Sequence, residues 1–230
     1  MTRIETRPTS LTRTWLSWTV GFLAFPLAGF CGTAVAGRVD DPLSALLGGA
    51  VAGLVIGTGQ ALASRRRLRL RRWIPATSIG MSLGLLLGAS TVGYRTTLAD
   101  LALMGALTGV VLGIAQTFTL PRNAKPRWLW AAGMPILWAL GWTVTTIAGI
   151  AVEEQFTNFG AFGALTFSAL SGLLLLYLLP HSGRKDWQTR NQEAPTGAAR
   201  RGSAQPSGSP PPEGELNVGG FRNRSRGSGS

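Results

Sequence analysis

Six stretches of this chain contain no Lys, Arg, Asp or Glu, and each is long enough to cross a bilayer. They run Trp15–Gly37, Leu43–Ser64, Trp73–Tyr94, Leu101–Leu120, Trp128–Val152 and Phe156–Pro180. A spanning helix needs about 20 predominantly apolar residues. Inside lipid, each backbone N–H and C=O must find its partner within the protein, which excludes open strands. The expected fold is therefore all-α: a polytopic membrane protein with six transmembrane helices. Short connections make sequence neighbours into helical hairpins. The expected organisation is an N-terminal segment over 1–14, a transmembrane domain over 15–180 and a polar tail over 181–230.

Charge decides which way the bundle points. The chain carries 22 basic and 10 acidic residues, a formal charge of +12. Arg3, Arg7 and Arg13 precede the first span. Arg65, Arg66, Arg67, Arg69, Arg71 and Arg72 crowd the second connection, and Arg122, Lys125 and Arg127 hold the fourth. Eight more basic residues lie in the tail, so 20 of the 22 fall on one side. The positive-inside rule makes that side cytoplasmic and places both termini there. The high charge thus marks a membrane protein. Nucleic acid is a poor partner for an arginine run pinned between two spans. Anionic lipid headgroups are a better one, at about 1 kcal/mol per basic residue near the surface.

Trp15, Trp18, Trp73, Trp128 and Trp130 sit at the basic ends of the odd spans, where an interfacial aromatic belt is expected. Trp138 and Trp142 lie deeper on one face of the fifth span. The start of the chain also has the order of a cleavable signal peptide, with a basic leader, an apolar stretch and Ala34-Val35-Ala36. The apolar stretch is long for that, and its removal would break an internal repeat, so it is read as a span.

The repeat has a period of 56. Residues 49–60 and 105–116 are identical at six of twelve positions, including three Gly and the final Gln. Gly37, Gly93 and Gly149 continue the period. Gly21, Gly29, Thr33 and Gly37 match Gly133, Gly141, Thr145 and Gly149 at twice the period. The third unit has Gly172 where Gln is expected. Three hairpins pointing the same way would form a six-helix bundle with pseudo-threefold symmetry about the membrane normal.

Three glycine stripes stand four residues apart: Gly49, Gly53, Gly57; Gly80, Gly84, Gly88; and Gly105, Gly109, Gly113. Helices in lipid associate through close backbone approach, which small residues permit. Either all three stripes pack within the chain, or one stays outward and docks another membrane subunit. Gln60 and Gln116 are repeat-equivalent polar residues near the basic end. A buried amide needs partners. It is either an interhelical hydrogen bond or the polar lining of a vestibule. Thr33, Thr143, Thr145 and Thr146 more often bond back to their own helix than line a path. Pro26 and Pro135 favour kinks in spans one and five. Pro75 is expected in a first turn, where Pro is harmless.

Chemistry finds little footing. One Cys excludes an internal disulfide and a Cys-based metal site within one chain. No cofactor or metal site is expected. Asp40, Asp41, Asp100, Glu153 and Glu154 form an acidic rim, more simply a set of solvated loops than a cation trap. Ser90 and His181, the only His, would have to form an intramembrane serine protease pair. They fall at opposite ends of the bundle, about 30 Å apart, too far for the hydrogen bond such a pair needs. The tail is rich in Gly, Ser, Pro and Arg and is expected to be disordered.

The pattern Gly-x3-Gly-x3-Gly-x2-Gln, followed by a basic loop and Trp, resembles uncharacterised multi-pass membrane proteins of bacteria that repeat this unit. The resemblance covers roughly residues 13–176. It implies a bacterial inner membrane and no particular activity, substrate or catalytic residue. Three hairpins are shared with the mitochondrial carriers, but their Pro-x-Asp/Glu-x-x-Lys/Arg signature is absent. Two functions fit: a non-enzymatic scaffold or accessory subunit packing against other membrane proteins through small-residue faces, or a small-solute transport subunit. Coupled transporters usually carry intramembrane charge, and these spans have none.

Overall fold

The computed structural model describes residues 10–65, 67–124, 126–152 and 158–179. The chain divides into two units, 1–181 and 182–230. The expected disordered tail lies outside the described residues, as do Arg66, Lys125, Glu153, Glu154 and His181.

Among the described residues every regular element is helical. The elements are α1 (Ser10–Val20), a 3-10 turn (Gly21–Leu23), α2 (Ala24–Ala36), α3 (Pro42–Ala63), α4 (Leu70–Thr91), α5 (Leu98–Thr117), α6 (Trp128–Ile147) and α7 (Ala161–Leu178). Five stretches are long and apolar enough to cross a membrane: Leu11–Ala36, α3, α4, α5 and α7. α6 matches α5 at 20 residues but gives four positions to Trp. The outward faces carry Phe30, Leu62, Ile79, Ile136 and Ile147. A helix that is apolar both inward and outward belongs in lipid rather than water.

Several expected edges move. α1 begins at Ser10, so the first helix reaches into the segment expected to precede the membrane. α4 begins at Leu70, three residues before its apolar block, so Pro75 lies inside the helix and not in its first turn. α6 stops at Ile147 instead of Val152, and α7 starts at Ala161 instead of Phe156. Glycine sets the end of α6: Gly149 has φ 72°, a left-handed conformation that other residues resist. Gly37 (φ 71°) and Gly93 (φ 62°), which follow α2 and α4, also have positive φ. The closing bonds recur as well. Gly93 N–H donates to Ser90 O (3.2 Å) and Tyr94 N–H to Ala89 O (2.9 Å), while Gly149 N–H donates to Thr146 O (3.1 Å) and Ile150 N–H to Thr145 O (3.3 Å). These are the closures that satisfy last-turn carbonyls.

The two kink-forming prolines behave differently. Pro26 has no N–H for the carbonyl of Phe22, and its ring crowds that carbonyl. The span tightens there into the 3-10 turn that separates α1 from α2. Pro135 sits within an uninterrupted α6. α3 starts on a reciprocal cap. The Asp41 carboxylate accepts from Leu43 N–H (2.7 Å) and Ser44 N–H (3.1 Å), and Asp41 N–H donates back to Ser44 Oγ (3.2 Å). Pro42 occupies the first helical position.

Each helix packs on the next, α2 on α3 through α6 on α7, and α7 returns to α1. α2 barely meets α7. The ring is therefore closed firmly at the end bearing the Arg65–Arg72 loop, the basic end, and loosely at the far end.

Candidate functional site

Gln60 and Gln116, from α3 and α5, meet inside the basic end. Gln116 Nε2 donates to Gln60 Oε1 (3.3 Å) and to Thr77 Oγ1 (3.0 Å). Trp73 Nε1 donates to Gln60 Oε1 (3.1 Å), and Trp130 Nε1 donates to Gln116 Oε1 (3.0 Å). Thr77 Oγ1 passes its own proton to Trp73 O (2.8 Å). The two amides thus bind two indoles and one hydroxyl, and both are buried, Gln60 at 4% and Gln116 at 1% exposure.

The tryptophans explain why. Trp73 and Trp130 are 0% exposed, and Trp18 is 3%. The expectation that these three form an interfacial belt is corrected. Their rings pack edge to face, Trp73 on Trp130 at 5.9 Å and Trp18 on Trp130 at 6.3 Å between centroids. Each of these three indole N–H groups donates to a protein acceptor, the usual requirement for burying Trp, whereas the buried Trp138 Nε1 has none among the described residues. Trp18 Nε1 donates to Ser171 Oγ (3.0 Å). Of the five, Trp128 projects outward and Trp15 is half-buried, donating to Ala169 O (2.9 Å).

Deeper in the bundle, Phe25, Trp138, Phe159 and Phe167 form one aromatic cluster, with centroid spacings from 4.8 to 6.5 Å. Trp142 joins it through Phe159. All five are buried. Ring packing therefore fills the centre from mid-depth to the basic end.

The nine stripe glycines all face helices of this chain. A methyl on Gly49 would lie 2.7 Å from Met81 O, and one on Gly53 2.6 Å from Ser78 Cα; Gly57 approaches Thr77 Cβ at 3.0 Å. Gly80, Gly84 and Gly88 bring α4 equally close to Leu112, Thr108 and Met104 of α5. Gly105 meets Trp138 and Trp142, while Gly109 and Gly113 meet Met134 of α6. The stripes are consumed between α3 and α4, α4 and α5, and α5 and α6. None remains as an outward docking face.

The expected path-lining threonines bond elsewhere. Thr143, Thr145 and Thr146 donate to the carbonyls of Ala139, Gly141 and Trp142, each four residues back. Thr33 is the exception: its Oγ1 is buried with no hydrogen-bond partner among the described residues. It lines a groove of about 330 Å³ between α2 and the α6–α7 connection, at the far end. Phe25, Pro26, Gly29 and Phe30 form one wall, and Ile150, Asn158, Phe159 and Gly160 the other. Asn158 holds the two walls together. Its Nδ2 donates to Phe25 O and Phe159 O, both at 3.1 Å. The sequence reading missed Asn158; the signal was a carboxamide in an otherwise apolar block.

The charged loops are partly engaged. Arg65 Nε donates to Ser17 Oγ and Arg67 Nη2 to Thr14 Oγ1, both at 3.3 Å, which ties the basic loop to α1. Arg69, Arg71 and Arg72 are exposed. On the acidic side, Asp100 pairs with Arg95 (3.0 Å), while Asp41 serves α3 as its cap. The cap's backbone N–H donors, Ser44 first and then Leu43, hold the Asp41 carboxyl below its ordinary value. No cluster of three potential metal ligands occurs among the described residues.

Comparison with protein-family models, curated proteins and solved structures finds no match to this chain.

Proposed function

We propose that this chain is a non-enzymatic accessory subunit of a bacterial inner-membrane assembly, with both termini in the cytoplasm. One observation carries the reading. Buried Trp, Phe and Gln side chains fill the centre of the ring from mid-depth to the basic end, which leaves no polar path for a solute there among the described residues. A transport subunit would need such a path or a charge to drive it. The small-residue faces pack inside the chain, so the contact with a partner falls to the aliphatic outer faces and the far-end groove. The exposed Arg69, Arg71 and Arg72 fit anionic headgroups at the cytoplasmic surface.

We also propose that the bundle descends from three parallel hairpins. Supporting this, Gly37, Gly93 and Gly149 all have positive φ at a spacing of 56. Gln60 with Trp73, and Gln116 with Trp130, repeat one amide–indole pair. A methyl on Gly172, which stands where a third Gln is expected, would meet Trp18 and Trp15. The third contact of the ring is then made by the last helix on the first. The family of glycine-repeat bacterial membrane proteins remains the best reading of this pattern.

Native mass spectrometry of the chain extracted with its lipids tests the function. A membrane protein co-purifying at fixed stoichiometry supports the accessory role. A chain that runs alone, with a reproducible polar solute bound, overturns it in favour of transport.

A further inference from the structure

Trp128 alone among the described tryptophans is exposed, and it stands edge to face with an equally exposed Phe118, 6.1 Å between centroids. Phe118 closes α5 and Trp128 opens α6, so the pair forms the outer shoulder of that hairpin at the basic end. Exposed Arg122 and half-buried Arg127 flank it. Large rings at the end of a span, beside basic residues, suit the headgroup level of a bilayer. We propose that this pair rests at the headgroup boundary of the cytoplasmic leaflet, on one of two lipid boundaries that cross the outer surface about 30 Å apart. The inference deepens the membrane reading and rests on it.

The boundaries lie where exposed side chains turn from apolar to charged. Leu62 and Phe118, 56 residues apart, are exposed, and exposed Arg65 and Arg122 follow them by three and four residues. Leu16 and Trp128, 112 residues apart, are exposed, and Arg13 and Arg127 precede them. Arg72 takes the equivalent place on α4, where its exposed guanidinium reaches lipid phosphate from the same level. At the far end, Val35 comes three residues before exposed Arg38. Leu43 and Leu98 come three residues after exposed Asp40 and Arg95. Asp100 lies inside that last limit, but its carboxylate pairs back to Arg95 at 3.0 Å.

The apolar lengths agree from span to span. Leu16 and Val35, Leu43 and Leu62, and Trp128 and Ile147 are each 19 residues apart, and Leu98 and Phe118 are 20 apart. At 1.5 Å per residue these are about 28–30 Å, the hydrocarbon thickness of a bilayer. A protein partner has no reason to repeat one apolar length on four spans, whereas a bilayer imposes it. The helix ends do not mark the limits. α1 starts six residues before Leu16 and α4 two before Arg72, so both project into the headgroup layer.

The test uses the full chain in vesicles of phosphatidylcholine and phosphatidylglycerol with bromine on the acyl chains, either near the carbonyl end or near the terminal methyl. Bromine quenches tryptophan on contact. The emission lost in Trp128→Phe is the Trp128 component, and it is expected to be quenched about twofold more by carbonyl-end bromine, the level of an interfacial ring. Stronger quenching by methyl-end bromine overturns the proposal. Spin labels in a Cys31→Ser background supply the second boundary residue and the control. Labels at Leu62→Cys and Phe118→Cys are expected at one common depth, and a label at Leu83→Cys, eleven residues past Arg72, is expected deeper. Depths at positions 62 and 118 that differ by more than about 5 Å, one helical turn, overturn the common boundary. A label at 118 that neither oxygen nor an aqueous nickel chelate reaches means that protein covers the pair, and also overturns it. Nickel access at 83 equal to that at Arg122→Cys overturns the membrane reading itself.

Discussion

Gln116 donates to Gln60 across 3.3 Å, so two residues 56 positions apart in sequence share one buried hydrogen bond. Each amide also accepts the N–H of an indole buried from the next helix, Trp73 or Trp130. Helices α3, α4, α5 and α6 are joined through four side chains, so the network behaves as a unit.

Gln116→Leu removes the acceptor of Trp130 Nε1 and the donor to Gln60 and Thr77. A stranded buried polar group costs about 1–3 kcal/mol, and that destabilisation is expected in equilibrium unfolding by SDS in mixed micelles. Gln60→Leu strands Trp73 in the same way. The double variant is expected to lose less than the sum, with a coupling energy of about 0.5–3 kcal/mol. Strict additivity would mean that the two amides do not interact.

Glycines of the two kinds separate cleanly by substitution with alanine. Gly93 has open space around it, so Gly93→Ala meets only left-handed backbone strain, about 1–2 kcal/mol. A methyl on Gly109 lies 2.5 Å from Met134 O and 2.7 Å from Pro135 Cα, both backbone atoms. Gly109→Ala must push α5 from α6 and is expected to destabilise more than Gly93→Ala. The same SDS titration ranks them, and the opposite order rejects the α5–α6 packing.

The cap on α3 gives a pH dependence. The folded Asp41 carboxyl titrates below its unfolded value, so its contribution is fully present above about pH 4. That contribution is lost as pH falls through the folded value. Amide hydrogen exchange at Leu43 and Ser44, corrected for intrinsic rates, is expected to accelerate on acidification below pH 4. In Asp41→Ala those amides are expected to be unprotected at neutral pH with no such acid response. Equal acid responses in both proteins would remove Asp41 as the cause.

Orientation is open to thiol labelling. In a Cys31→Ser background, Asn123→Cys sits on the fourth connection and Asp40→Cys on the first, both exposed. A membrane-impermeant maleimide applied to intact cells is expected to label position 40 and spare 123 until the membrane is opened. The reverse pattern would invert the topology.

Several features were legible because they depend on local chemistry. Blocks without charge must be helices in lipid, and the glycine spacing of α3, α4 and α5 marks close helix contact before any partner is known. What those stripes touch was not legible. A stripe of Gly looks the same whether Met134 of α6 or a foreign helix lies against it. Trp73 and Trp130 show the same limit. A Trp at a span end is equally an interfacial anchor or a core residue, and only the arrival of Gln60 and Gln116 as acceptors permits burial. Asn158 was overlooked because a lone carboxamide near a loop carries no periodic signal.

The sequence by itself determined the helices, their approximate ends, the uneven distribution of charge and the glycines that recur at the ends of the odd spans, since backbone satisfaction and steric limits act on each segment independently. Tertiary structure alone decided which faces meet. It turned three glycine stripes inward, buried Trp73 and Trp130 on two amides and Trp18 on the Ser171 hydroxyl, and left α2 standing off from α7. In lipid every face of such a helix is apolar, so hydrophobicity does not choose the partner, and shape and a few hydrogen bonds do.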